Sequence, residues 1–320
     1  MKKQLLIAAV AATMTSVAIA DISITGNTKV NYTNTEVDAT HATLAQSSNA
    51  FNHDLDLTVV GKNGDTSVSM TVATTASGAA GAAGGLAVEN TVLATKIGDV
   101  AIKTGTWMTG DDMLTATSRA NGKFEASTDF SGVKVTYSDA ENSNATIKLA
   151  GSVADVALSY ERGTITDTYT ADATVAGFGI SYKMRASDTA ASDRSSLMIT
   201  KEVNGVSLTY AQADADASAT LTGDSWLGDF EGNTVGVMDA NAGDDISGFG
   251  ASMALAGNTV AVKRVSVDSA TTNEGADITT VSVTRALANG STFEMTYTDD
   301  DADLLAEDMT TLDLELAVKF

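Results

Sequence analysis

The two side-chain types most versatile in catalysis and metal binding, cysteine and histidine, are nearly missing from this 320-residue chain. There is no cysteine, so neither thiolate catalysis nor a disulfide framework is available. The two histidines are His41 and His53. Neither has a second ligand at metal-binding spacing, and His53 shares its phase with the apolar Phe51 and Leu55, so neither reads as a metal ligand or a base. Asp111-Asp112 is a carboxylate pair of the kind used in acid–base catalysis, but nothing nearby in sequence would raise either pKa. Gly177-Phe178-Gly179 and Gly248-Phe249-Gly250 lack the third glycine of a nucleotide loop, and each begins an alternating run instead of a helix. Asp299-Asp300-Asp301, followed by Asp303, has the density of a calcium loop without its central glycine or terminal glutamate. No catalytic, cofactor-binding or metal-binding residue is expected, and the chain does not read as an enzyme. Weak binding of divalent cations by the acidic segments is the nearest approach to a cofactor.

What remains is charge mounted on a regular frame. The chain ends TTLDLELAVKF, with Leu312, Leu314, Leu316, Val318 and Phe320 in one phase and Thr311, Asp313, Glu315, Ala317 and Lys319 in the other. A period of two is a strand with one apolar and one polar face. The alternation recurs at 22–33, 51–61, 133–139, 178–187, 206–212 and 292–298. Runs of about 8–11 residues suffice for a tilted strand to cross a hydrocarbon layer. Beyond the first twenty residues no apolar run is long enough for a membrane helix, and the chain has no proline.

Tight-turn signals separate the runs: Gly61 to Gly64, Gly98-Asp99, Ser131-Gly132, Ala176-Gly177, Asn204-Gly205, Gly257-Asn258 and Asn289-Gly290, with a weaker one at Val153-Ala154. Between them lie polar segments at 34–50, 76–87, 109–122, 139–144, 162–167, 187–194, 213–247, 268–277 and 299–308. Short and long connections alternate, which predicts an all-β, transmembrane, antiparallel up-and-down β-barrel with short periplasmic turns and long extracellular loops. The turn count gives 18 strands, or 16 if one hairpin is spurious. Tyr32, Tyr137, Tyr160, Tyr169, Tyr210 and Tyr297 fall at long-loop ends; Phe130, Phe178, Phe293 and Phe320 fall at the other. Two such belts suit two membrane interfaces, and only Tyr182 falls mid-strand.

Residues 1–20, with Lys2 and Lys3, an apolar run and Ala18-Ile19-Ala20, read as a secretory signal peptide, leaving 21–320 as the barrel. Removing those two lysines takes the formal charge from −22 to −24. So acidic a chain without a basic run is not expected to bind nucleic acid. In the polar phase stand Lys29, Lys103, Lys134, Lys148, Lys183 and Arg185, expected to face the lumen as the pore wall.

The signal sequence, the start Asp21-Ile22-Ser23-Ile24-Thr25-Gly26 and the terminal alternation ending in Phe320 together resemble the Gram-negative outer-membrane porins, of the general-diffusion kind. The resemblance implies residence in the outer membrane of a Gram-negative bacterium among lipid and lipopolysaccharide. It implies recognition of the last strand by the barrel-insertion machinery, and a homotrimer. It also implies a third long loop folded into the pore. Here that loop is TGDDMLTATSRANG (109–122), so Asp111 and Asp112 become the constriction candidates, with Arg119 as their brace.

The function that follows is a water-filled channel for passive diffusion of small hydrophilic solutes and ions. Acidic loops at 213–247 and 299–308 give it a cation preference. The alternative is a plugged barrel serving as a structural or adhesive surface protein, with Trp226 and Phe230 of the 213–247 segment making contacts. Either barrel should migrate differently on a gel before and after boiling. A soluble filament protein would show no such shift and would extract without detergent.

Overall fold

A computed structural model describes residues 21–37, 48–74, 86–109, 118–141, 144–188, 192–216, 243, 245–268, 276–302 and 309–320. The first nine strands are β1 (Asp21–Val37), β2 (Ser48–Asn63), β3 (Thr66–Thr74), β4 (Leu86–Ile97), β5 (Val100–Thr109), β6 (Ser118–Phe130), β7 (Val133–Asp139), β8 (Thr146–Val153) and β9 (Val156–Arg162). The second nine are β10 (Thr166–Val175), β11 (Phe178–Ser187), β12 (Arg194–Val203), β13 (Val206–Ala215), β14 (Asp245–Leu255), β15 (Asn258–Asp268), β16 (Ala276–Ala286), β17 (Ser291–Ala302) and β18 (Met309–Lys319). Each pairs antiparallel with the next, and β18 returns to β1 from Asn27↔Lys319 to Val37↔Met309. The sheet is an 18-stranded barrel with no free edge.

The tight connections lie at one rim, where the turn signals predicted them. At Ser131-Gly132, Ala176-Gly177, Asn204-Gly205 and Ala256-Gly257 both central residues have positive φ, the geometry whose twist matches two hairpin strands. Ala154-Asp155 adopts it without a glycine, at φ 47° and 65°, which explains its weak sequence signal. The strands run further into the polar segments than the alternation indicates. β1 continues to Val37 and β17 to Ala302, so Asp299, Asp300 and Asp301 are strand residues and not a cation-binding loop. Gly248-Phe249-Gly250 lies within β14 instead of opening it.

Residues directly opposite in an antiparallel pair share a face, so the register fixes which side chains look outward. The outward set is apolar and solvent-exposed around the wall, including Ile24, Val30, Phe51, Val88, Leu149 and Phe249. The terminal phenylalanines and tyrosines of the two belts belong to it: Phe130, Phe178 and Phe320 at one rim, Tyr137, Tyr169 and Tyr210 toward the other. Tyr182 is outward too, on the wall between the belts. At the tight-turn end of β11, Lys201 of the neighbouring β12 lies on the outward face with its ammonium 4.3 Å from the Phe178 ring centre, donating to the Ala176 carbonyl at 2.8 Å. That is a lysine reaching along an apolar surface to a polar interface.

The seam is locked at Gly26. Its amide donates to the Phe320 carbonyl at 2.7 Å and its carbonyl accepts from the Phe320 amide at 3.0 Å. The Phe320 ring fills the space over it: a Cβ on residue 26 would meet the ring at 2.3 Å. Gly26→Val should therefore cost about 1–3 kcal/mol as an overpacked contact and lower the yield of heat-modifiable barrel on refolding. Adding Phe320→Leu to that variant should recover part of the yield, which a generic loss of strand propensity would not allow.

Candidate permeation pathway

The inward face carries the charge. Register places Lys103 of β5 opposite Glu125, Lys134 of β7 opposite Asp129 and Lys148 of β8 opposite Glu161. On β11, Lys183 and Arg185 share the inward face with Ser181, and Arg185 stands directly across from Arg194 of β12. Like charges at opposed positions are unfavourable, so β11–β12 concentrates positive charge that no packing argument requires.

A second like-charge pair lies elsewhere: Glu294 of β17 opposite Glu315 of β18. Thr284 and Thr296 hydroxyls donate to Glu294 at 3.2 and 3.3 Å, and the Thr33 hydroxyl donates to Asp313. Asp54 and Asp56 of β2 join this sector through the seam, facing Lys29 and Asn27. Lys29 thus sits apart from the other five lysine and arginine positions, among acids, with its ammonium 3.8 Å from Glu315. In a barrel of eighteen strands each strand faces the one nine positions on. Strand β11, with Lys183 and Arg185, therefore looks across at β2, with Asp54 and Asp56. A basic arc and an acidic arc oppose one another over the lumen.

The basic arc has a structural anchor. β6 carries an extra residue against β5, with the register stepping from Gly105↔Lys123 to Trp107↔Ala120. Gly122, at φ 57°, takes the bend. Asn121-Gly122 is therefore a bulge inside β6 and not the end of a loop. Trp107 shares the inward phase of β5 with Lys103 and Gly105, and it is buried between two ammonium groups, Lys103 at 4.1 Å and Lys123 at 4.7 Å from the ring centre. Gly105 is obligatory here, because a Cβ would lie 1.9 Å from the Thr91 carbonyl oxygen. A second bulge sits in β4, where the pairing steps from Thr71↔Asn90 to Val72↔Val88. A lumenal recess of about 310 Å³ lies beside Asp172, Thr174, Ser181, Met198 and Thr200.

Of the constriction candidates, Asp111 and Asp112 fall outside the described residues. Arg119 belongs to β6, paired with Met108, instead of to the loop; its side chain lies outside the described set. The acids Glu294, Asp313 and Glu315 were not singled out as wall residues in sequence. Their signal was present as the polar phase of two strands. Only closure sets them beside β1 and β2. His53 is outward and exposed on β2, while His41 is outside the described residues. Among the described residues, no three His, Cys, Asp or Glu side chains are grouped to hold a metal.

A closed antiparallel barrel, apolar outside and charged within, has the architecture of a transmembrane β-barrel. More narrowly, its fold is that of solved Gram-negative porins. OccAB4 of Acinetobacter baumannii aligns with a TM-score of 0.67 at 11% identity, over 94% of this chain and 98% of that one. OccD3 of Pseudomonas aeruginosa aligns at 0.61 and 13% identity, over 95% and 93%. OccK8 of the same organism aligns at 0.63 and 11%, over 94% and 98%. At such identities the likeness is one of fold. No protein-family model and no curated protein sequence matches the chain.

The two cation–π contacts at Trp107 are each worth about 0.5–2 kcal/mol. Trp107→Leu should thus lower the denaturation midpoint of the barrel, and Trp107→Phe should lower it less. A denaturant titration followed by the gel shift reads both.

Proposed function

We propose that this protein is an outer-membrane porin, a water-filled channel for passive diffusion of small hydrophilic solutes and ions. The observation that carries the reading is the opposition of the β11–β12 basic arc and the β17–β2 acidic arc inside a wall whose exterior is apolar. Charge clustered by sign is costly unless water solvates it, and a water-filled lumen supplies that solvation. Facing arcs of opposite sign set a field across the pore, which orients dipolar solutes as they pass. On this reading residues 1–20 direct export, the tight turns face the periplasm and the long loops face outside.

The channel prefers cations. The wall carries both signs, so the preference comes from the excess of acid in the whole chain, formally −22, much of it in the long segments at the mouth. Asp111 and Asp112 narrow the pore in the same proposal, with Arg119 nearby. Divalent cations bind the mouth weakly, and the barrel assembles as a homotrimer in lipopolysaccharide.

Purified protein in a planar bilayer should show stepwise ohmic conductance and a cation-selective reversal potential under a salt gradient. Asp111→Asn with Asp112→Asn should shift that potential toward zero, and Asp54→Asn with Asp56→Asn should shift it further. An inserted, heat-modifiable barrel that carries no current would defeat the channel reading. Selectivity unchanged in the first double variant would remove those two aspartates from the constriction.

A further inference from the structure

A strand that crosses lipid and continues beyond it is apolar on the outside only along the lipid-embedded part. β13–β16 change polarity part-way up. Near the tight turns their outward positions are Leu208, Met253, Val260, Val262 and Val281, and their inward positions include Ser207, Ser252, Thr259 and Ser282. Near the long-loop rim the order inverts. Outward positions there are Gln212, Asp214, Asp245, Ser266 and Asp277, with Arg264 donating to Asp277 at 2.8 Å. Inward positions are Ala213, Ile246, Val265, Val267 and Ile278.

These inward residues form one continuous patch, since Ala213 pairs with Ile246, Ile246 with Val267, and Val265 with Ile278. They are withdrawn from solvent: Ala213 is 0% exposed, Ile246 and Val265 1%, Ile278 4%. Beyond them Thr280, Thr298, Asp300 and Thr311 on β16–β18 are buried as well. Side chains on the wall of an open water column cannot be so covered. Polar outside and apolar inside is the order of a water-soluble sheet over its own core.

The wall from β7 to β12 differs: its outward rim positions Asp139, Arg162, Asp167 and Ser195 are polar as well, but its inner face stays polar up to the rim. β7–β12 present Ser138, Thr168, Arg185, Arg194 and Ser196 inward at the same level, and Lys134, Lys148 and Asp172 are exposed. We propose that the passage is eccentric. At the long-loop half of the barrel the lumenal side of β13–β18 is dry protein core, and water and solutes pass along the β7–β12 wall. This deepens the channel reading and rests on it. It assigns solute contact to Lys148, Thr168, Lys183, Arg185 and Arg194, and denies it to the apolar arc.

The absence of native cysteine makes the test direct. Single variants Thr168→Cys, Thr170→Cys, Ala213→Cys and Val265→Cys are reacted, as folded barrels in bilayers, with a charged, membrane-impermeant methanethiosulfonate. Modification is followed by intact mass, and folding is verified by the gel shift. Reaction at a buried site waits on local opening, so the Thr168 and Thr170 variants should label more than about tenfold faster than the other two. Their conductance should fall as they label. Equal rates at Ala213 and Val265, with an equal fall in conductance, would overturn the eccentric passage. Loss of the channel reading would show separately, as no current from the unlabelled protein whatever the labelling contrast.

Discussion

A peptide group in hydrocarbon has no partner but another peptide group, and everything in this molecule follows from meeting that demand without a helix. Eighteen strands satisfy it only if the first pairs with the last. The seam therefore has to be specified as firmly as the hairpin pairs, without a turn to set its register. The means are an eleven-residue register from Asn27↔Lys319 to Val37↔Met309, ending in the exchange of hydrogen bonds between Gly26 and Phe320 under the Phe320 ring. A side chain at position 26 would push the ring off the joint. The terminal phenylalanine is thus a structural piece of the closure, whatever else reads it.

Closure also makes the electrostatics. Glu294 and Glu315 oppose each other, as do Arg185 and Arg194. Each such pair works against the sheet by a fraction of a kcal/mol, of order 0.2–1. A barrel with this much backbone pairing tolerates the cost where water reaches the charges. Placing the two signs on facing walls turns that tolerance into a transverse field. Trp107 holds two of the basic side chains in place: it shares the inward phase of β5 with Lys103, and Lys123 of β6 stands on the same face opposite Gly105.

Much of this was legible in the chain before any folding. Strand number came from turn chemistry, because a two-residue hairpin needs positive φ at both positions and few residue pairs supply it cheaply. Ala154-Asp155 was faint for that reason. Asn121-Gly122 looked like the end of a loop because a bulge uses the same left-handed residue as a turn. Asp299-Asp300-Asp301 looked like a loop because acids are rare in strands. There the strand has left the membrane, and Asp300 points into a buried space. The ends of β13–β16 misled in the same way: above the lipid an apolar residue belongs inside.

The amino-acid sequence by itself determined the alternation, the punctuation and therefore an antiparallel wall with one apolar face, since these depend on nearest neighbours along one strand. It also determined which side chains carry charge and which phase they occupy. Only the tertiary structure decided which charges share an arc. Asp54 and Glu315 are separated by most of the chain and come to flank one residue, Lys29, with Asp54 opposite it and Glu315 3.8 Å from its ammonium, solely because β18 comes home to β1. The bulge that shifts the long-loop end of β6 against β5, and the half of the mouth given over to an apolar core, were likewise settled there. They arise from contacts between strands, where a register shift of one residue exchanges the two faces and no single strand records the outcome.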